Sequence, residues 1–373
     1  MAGGRKELTT SDRDRALDAF LDRAGWAAAE RHPLAGDAST RRYVRLVDGV
    51  RTSMLMDAPS GAEAPACPPD ASPEERKALG YNAEARLAGP NLTAFAGLSD
   101  ALCERGFSAP SVLASDLEHG FLLLEDLGDA LFARLLPDQM HEGSLYAAAV
   151  DTLAAIYRSS FPDAVEAGGQ SWPLQSYDAT ALMAEADLFV EWFLGRHAGV
   201  TLSEAALDEW RAIWTRAFGR LENCPPGLVL RDYHAENLIY LPERKGEASL
   251  GLLDFQDALI GHPAYDLVSL LEDARRNVDR KLAVPLKARF VERAGLRDAA
   301  GFDAAYAVLG AQRNAKILGI FVRLAVRDGK ARYLDMLPRV ARHFAGDIQH
   351  PALMELNLWI KAHAGAVLLE AHK

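Results

Sequence analysis

Near the start of the chain, Leu17, Phe20 and Leu21 recur at three- and four-residue steps behind Ser11-Asp12. That spacing predicts a short amphipathic helix with a polar cap at its start. The period then changes. Tyr43-Val44-Arg45-Leu46-Val47 and Thr52-Ser53-Met54-Leu55-Met56 flank Asp48-Gly49, which predicts a hairpin. Val112-Leu113-Ala114 and Phe121-Leu122-Leu123-Leu124 form a second strand pair around Glu118-His119-Gly120. The N-terminal third therefore reads as a small antiparallel sheet, with helical patterns from about Pro73 to Arg105 ending at Gly106. Residues 58–70 are rich in Pro, Ala and Gly and read as a loop. From about Ser144 the pattern is mainly helical: Leu182, Leu188, Phe189, Trp192 and Phe193 mark one amphipathic helix. One β-type island interrupts it, made of Leu228-Val229-Leu230, Leu238-Ile239-Tyr240 and Leu250-Gly251-Leu252-Leu253.

The totals narrow the function classes. At 373 residues the chain is long enough for two packed lobes. A net charge of -11 argues against a broad nucleic-acid or anionic-membrane surface. The cysteines, Cys67, Cys103 and Cys224, are few and far apart, so neither a disulfide framework nor a structural zinc site is expected. The polar start and the lack of a long apolar run lead to the expectation of a cytoplasmic protein.

The strongest chemical signal is Asp232, with Asn237 five positions later and Asp254 beyond an intervening hairpin. Phosphoryl transfer to a hydroxyl needs a carboxylate to orient that hydroxyl and take its proton. It also needs oxygen ligands for the Mg²⁺ that bridges the phosphates. Each element alone is a weak signal; the combination between apolar β runs points to a kinase-type site.

Asp232-Tyr233-His234-Ala235-Glu236-Asn237, Asp254-Phe255-Gln256-Asp257-Ala258 and Gly261-His262-Pro263-Ala264-Tyr265-Asp266-Leu267 together resemble the aminoglycoside phosphotransferase and choline kinase superfamily. Leu123-Leu124-Glu125-Asp126-Leu127-Gly128, Glu191-Trp192-Phe193-Leu194-Gly195-Arg196 and the stretch Ala311–Gly319 are further similar to bacterial anomeric sugar kinases of cell-wall recycling. The resemblance implies an α+β, bilobal protein-kinase-like fold. Residues 1–127 would form an N-terminal nucleotide-binding lobe with an antiparallel sheet. Residues 128–373 would form a larger helical lobe for catalysis and substrate. It also implies ATP-dependent phosphorylation of the C1 hydroxyl of N-acetylmuramate and N-acetylglucosamine. Asp232 would be the catalytic base, and Asn237 and Asp254 the Mg²⁺ ligands. The turn Gly36, Asp37, Ala38, Ser39, Thr40 and Arg41 would cover the ATP phosphates, and backbone groups near Glu125 and Leu127 would meet adenine.

Two positions depart from the pattern. Leu230 stands where the superfamily usually has His, and Thr52–Asp57 carries no strand lysine for the ATP phosphates. The phosphate charge would then fall to the turn amides, to Mg²⁺, or to Arg41 or Arg42. Other readings stay open at this point: a kinase for choline, a homoserine-like amine or an aminoglycoside, served by Glu185, Asp187 and Glu191; or a non-catalytic nucleotide-binding regulator. Arg196, Arg313 and Lys316 are the candidates for a basic contact to a sugar acid. The stripe Gln312-Arg313-Asn314 with Lys316 reads either as a cavity lining or as a solvated helix face.

Overall fold

Gly49, at φ 60°, turns the chain between two seven-residue strands that pair from Asp48↔Arg51 to Arg42↔Asp57. The structure is a computed structural model that describes residues 10–34, 41–59, 66–136, 142–365 and 367–368. The chain forms two compact units that interleave along the sequence. Unit 1 comprises residues 1–138, 161–175 and 236–257; unit 2 comprises 139–160, 176–235 and 258–373.

Unit 1 begins with helix α1 (Thr10–Arg23), followed by strands β1 (Glu30–Pro33), β2 (Arg42–Asp48) and β3 (Arg51–Asp57). With β4 (Val112–Asp116) and β5 (Phe121–Leu124) these form an antiparallel sheet of order β1-β2-β3-β5-β4. Side chains alternate across a strand, so the register assigns the faces. Val44, Leu46, Leu55, Phe121 and Leu123 share one face and pack with Phe20, Leu21 and Trp26. Each such burial contributes about 1.5–3 kcal/mol, which is what fixes α1 on the sheet. Tyr43, Arg45, Met54, Met56, Leu122 and Leu124 take the other face.

The helical stretch expected from Pro73 to Arg105 is broken into α2 (Pro73–Leu79), α3 (Tyr81–Glu84) and α4 (Leu92–Glu104). Gly80 (φ 95°), Arg86 (φ 53°) and Gly89 (φ 55°) leave the helical region, and Pro90 excludes it for the residue before. Asn91 caps α4 by accepting from the Thr93 amide at 2.9 Å. Gly97 in α4 allows close approach of β6 (Ala164–Ala167), where a Cβ would sit 2.8 Å from Val165 Cγ2. β6 pairs with β7 (Gln170–Pro173). The short helix α5 (Phe132–Leu135) and the hairpin of β9 (Leu238–Tyr240) and β10 (Leu250–Leu252) complete this unit.

Unit 2 contains α6 (Glu142–Arg158), α7 (Ala179–Leu188), α8 (Glu204–Phe218), α9 (Ala264–Leu271), α10 (Arg280–Arg293), α11 (Ala299–Val326), α12 (Leu337–Asp347) and α13 (Met354–His363). Strands β8 (Gly227–Val229) and β11 (Leu259–Gly261) pair within it. The 28-residue α11 is its axis and packs on α7, α9 and α12. The amphipathic helix expected through Phe193 changes at Phe189 into a π-helical segment, Phe189–His197. A 3.6-residue period cannot reveal that change. Phe189 stacks on Phe193 and Trp210 at 5.3 and 5.6 Å and is part of the core.

The expected single β island is two separate pairs. β9 and β10 belong to unit 1, while β8 pairs with β11 in unit 2. Runs of three residues make only small two-stranded pairs, which depend on the unit around them for stability. Among the described residues no helix is long and apolar enough to cross a membrane.

Candidate active site

Residues 230–234 are held from three sides within unit 2. The Asp266 carboxylate, at the start of α9, accepts from the amides of Leu230 (2.6 Å) and Arg231 (2.8 Å). The buried Tyr233 hydroxyl donates to the Ala149 carbonyl of α6 at 2.8 Å. The His234 amide donates to the Asp232 carbonyl at 3.1 Å, and His234 Nε2 lies 3.3 Å from Arg275 Nη1. Arg231, directly before Asp232, sits at φ 72°. A non-glycine residue there stores strain that the surrounding hydrogen bonds must hold. Asp266 thus braces the loop, and the buried Leu230 stands in the usual histidine position with its amide tied down.

Beneath this loop lies an ionic network that the sequence reading missed. Glu185, fully buried on α7, pairs with Arg231 and with Lys316, whose Nζ is 2.8 Å from Oε1. It also accepts from the Tyr177 hydroxyl and from Gln312 Nε2 at 3.1 Å. Burial would raise the Glu185 pKa, but Lys316 and Arg231 hold it below the usual range. One signal was available: Glu185 lies on the same helix face as buried Ala181, Leu182 and Phe189, where a charge needs a partner.

Burial likewise pushes the Asp232 carboxyl up, and Lys316, His234, Arg313 and Arg231 together more than offset that, so its pKa is lowered. Asp232 is therefore an ionised carboxylate at neutral pH. It can accept a hydrogen bond from an acceptor hydroxyl and take its proton as the bond to phosphorus forms. Asp266, by contrast, is pushed up to about 7 by burial, with the nearby Asp232 charge adding to the effect against its two backbone hydrogen bonds. His234 falls to about 4, chiefly through burial and then the Arg275 charge. It braces the loop as a neutral ring.

Asn237 and Asp254 flank one end of the β9–β10 hairpin in unit 1. The Leu253 amide donates to the Asn237 carbonyl at 2.9 Å, and Asn237 Nδ2 lies 3.4 Å from Asp254 Oδ2. Asp254 is at φ 59°, and its Oδ1 accepts from Gln256 Nε2 at 2.8 Å. Phe255 is buried and stacks on Phe95 of α4 at 5.0 Å. Asp257 accepts from the Ala88 amide at 2.6 Å and so serves backbone bracing. Of the three non-glycine residues with positive φ among the described residues, two are Arg231 and Asp254. Backbone strain is thus concentrated where the chemistry was expected.

A carboxamide and a carboxylate side by side are hard oxygen donors. They suit a Mg²⁺ ion that completes its shell with water and phosphate. No group of three or more His, Cys, Asp or Glu side chains suited to a metal occurs among the described residues.

The segment after β5 is fastened to the sheet. Arg45 on β2 pairs with Asp126 at 2.8 Å and Asp129 at 2.7 Å. The Glu125 amide donates to the Ser111 carbonyl at 2.9 Å, and its carboxylate pairs with Arg244. Leu127 packs over Gly251, where a Cβ would come within 3.0 Å of Leu127 Cδ1. Tyr43, on the same sheet face as Arg45, is pushed up to about 12, mostly by burial; Arg41 lowers it and the Asp254 charge raises it. Arg41 donates to the Gly89 carbonyl at 2.9 Å, while Arg42 is exposed. Gly36, Asp37, Ala38, Ser39 and Thr40 lie outside the described residues.

The model of the phosphotransferase enzyme family matches residues 30–302, well over half of the chain. The chain belongs to the phosphotransferase enzyme family. It is 46% identical over 350 residues to the N-acetylmuramate/N-acetylglucosamine kinase of Caulobacter vibrioides, covering 94% of this chain and 96% of that protein. It is 33% identical to the enzyme of that name from Pseudomonas aeruginosa, with 92% of each chain covered. The fold matches a choline/ethanolamine kinase family protein of Mesorhizobium loti with a TM-score of 0.55 at 16% identity, covering 95% of this chain and 100% of that one. The phosphotransferase is thus a small-molecule kinase with the expected kinase-like fold.

Proposed function

We propose that this phosphotransferase transfers the γ-phosphoryl group of ATP to the C1 hydroxyl of N-acetylmuramate and N-acetylglucosamine. The observation that carries the reading is the 46% identity to a kinase of that name over nearly the whole of both chains. Asp232 acts as the base, and Asn237 and Asp254 would hold Mg²⁺. Bound Mg²⁺ supplies charge neutralisation as the terminal phosphoryl group departs. These roles are assigned from the five-residue spacing of Asp232 and Asn237 and from the local geometry around each.

Within the segment after β5, the Glu125 carbonyl and the Leu127 backbone are the groups that meet adenine, because the Glu125 amide is already bound to Ser111. Arg41 is the stronger substitute for the missing strand lysine. It is near Tyr43 and its charge is felt there, along with that of Asp254, whereas Arg42 alternates to the other side.

A cationic acceptor is disfavoured by the occupancy of the α7 carboxylates. Glu185 is consumed by Arg231 and Lys316, and Asp187 accepts from Trp210 Nε1 at 3.0 Å and pairs with Arg211. The charges that bear on Asp232 are Lys316, Arg313 and Arg231, which suits a neutral or anionic acceptor.

Proton-coupled ³¹P NMR of the protein with ATP, Mg²⁺ and either sugar tests this. An anomeric sugar phosphate that vanishes in Asp232→Asn supports it. ATP binding without any sugar phosphate overturns it.

A further inference from the structure

Among the described residues of unit 2, Arg313 is a buried cation without an ion-pair partner. It lies on α11 at 4% exposure, although helix faces carrying arginine are ordinarily wet. Its Nη1 is buried and has no hydrogen-bond partner, and Arg313 forms no ion pair with any described residue. Its aromatic neighbour is Tyr265, whose ring centroid is 6.0 Å away. One helical turn on, Lys316 flanks the same ring at 5.8 Å, but Lys316 is engaged by Glu185 and by the Tyr265 hydroxyl. The two cations look alike in sequence and differ in satisfaction.

The acids nearby have other duties. Glu185 serves Arg231 and Lys316, and Asp266 is bound to two backbone amides. Arg275 is placed against His234. Asp232 feels the Arg313 charge, which helps hold its carboxyl ionised, so Arg313 belongs to the surroundings of the proposed base. A buried guanidinium donor is costly unless a ligand brings the acceptor.

Building on the function proposed above, we infer that Arg313 is a specificity-determining residue that binds the lactyl carboxylate of N-acetylmuramate while Asp232 holds the C1 hydroxyl. The two sugars named for the relatives differ at that group: N-acetylmuramate carries a carboxylate and N-acetylglucosamine a hydroxyl. A planar guanidinium matches a carboxylate with two parallel hydrogen bonds. The reacting phosphates are served by the Asn237–Asp254 pair and Arg41, so the donor on α11 is left for the acceptor. Arg313 therefore sets the preference between the two sugars.

The test is initial rates at saturating ATP and Mg²⁺ with each sugar varied, for the unmodified protein, Arg313→Gln and Arg313→Lys. The KM for N-acetylmuramate rises about tenfold or more in Arg313→Gln, as loss of a charged hydrogen bond requires. kcat/KM falls far less for N-acetylglucosamine than for N-acetylmuramate, and Arg313→Lys recovers part of the loss. The methyl ester of N-acetylmuramate provides a measurement that does not depend on a variant folding: the unmodified protein should use the ester worse than the acid by a similar factor. Equal losses for both sugars, an unchanged KM, or equal use of acid and ester overturns the inference. If the unmodified protein phosphorylates neither sugar, the proposed function fails first; if it phosphorylates both, only the role of Arg313 is at stake.

Discussion

Glu185 and Lys316 meet at 2.8 Å inside unit 2, one from α7 and the other from α11, and the same carboxylate holds Arg231 next to Asp232. A buried ion pair of this kind contributes little net stability against a well-packed apolar equivalent, but removing one partner is expensive. Glu185→Ala should lower stability by about 3–5 kcal/mol, because it leaves two buried cations without their acid. Chemical denaturation of the variant against the parent checks this. A loss under about 1 kcal/mol would mean that solvent reaches the network.

Asp232→Asn keeps the size and most hydrogen bonds of the side chain but cannot take a proton. The expected outcome is a fall in kcat of about 10²–10⁴-fold with little change in ATP affinity. Single-turnover kinetics alongside equilibrium nucleotide binding separates the two. A nearly normal kcat would remove Asp232 from the chemistry.

Asp254 combines a left-handed backbone with a charge, and two substitutions part these effects. Asn tolerates φ 59° and removes the charge; Ala loses both. Asp254→Asn should keep the thermal midpoint and require more Mg²⁺, with a rate loss of about a hundredfold or greater. Asp254→Ala should in addition be less stable by about 1 kcal/mol or more. Mg²⁺ titrations of the rate and thermal melts report on each separately.

Gly319 lies on α11 where a Cβ would run into the Leu188 carbonyl, at the point where α7 gives way to the π-helical segment. Gly319→Ala forces the helices apart and should cost about 1–3 kcal/mol, in spite of alanine's better helix propensity. Gly346→Ala, where a Cβ meets nothing within 4 Å, is the control and should be neutral or stabilising. Matched melting curves decide it.

His262 is buried and its pKa is lowered to about 4 by that burial. Its Nε2 is 2.9 Å from Asn223 Oδ1, and its Nδ1 accepts from the Ala264 amide at 3.2 Å, so the neutral ring satisfies both neighbours. A folded pKa below the unfolded value of about 6.5 means that the unfolded chain binds the extra proton first. Stability should fall as pH drops from about 6.5 through about 4. His234 adds in the same direction, while Asp266, raised to about 7, opposes it over an overlapping range. His262→Gln should show a shallower acid limb than the parent in denaturation measured across that range. An identical slope would mean that His262 is not buried neutral.

The local patterns of the chain determined a great deal. The hairpin at Asp48-Gly49 and the strand pair ending at Leu124 depend on period-two alternation and turn chemistry, and both are present. Asn237 and Asp254 could be read as partners because a short hairpin joins them, so sequence proximity almost dictates spatial proximity. The break of the 73–105 region at Gly89-Pro90 was also written locally, but the continuous apolar pattern of α4 masked it.

What only tertiary structure decided are the relations between distant helices. Glu185, Arg231 and Lys316 are separated by 46 and 85 positions, and nothing in the period of either helix says that their charges cancel. Packing of α11 against α7 turned the Gln312–Lys316 stripe, open in the sequence to a solvated reading, into a buried one, with Gln312 and Asn314 at 0% exposure. The same packing placed one satisfied cation and one unsatisfied cation beside Tyr265. Residue type fixes a charge, but whether that charge is neutralised inside the protein or left for a ligand depends on which other side chains the fold brings within hydrogen-bonding distance.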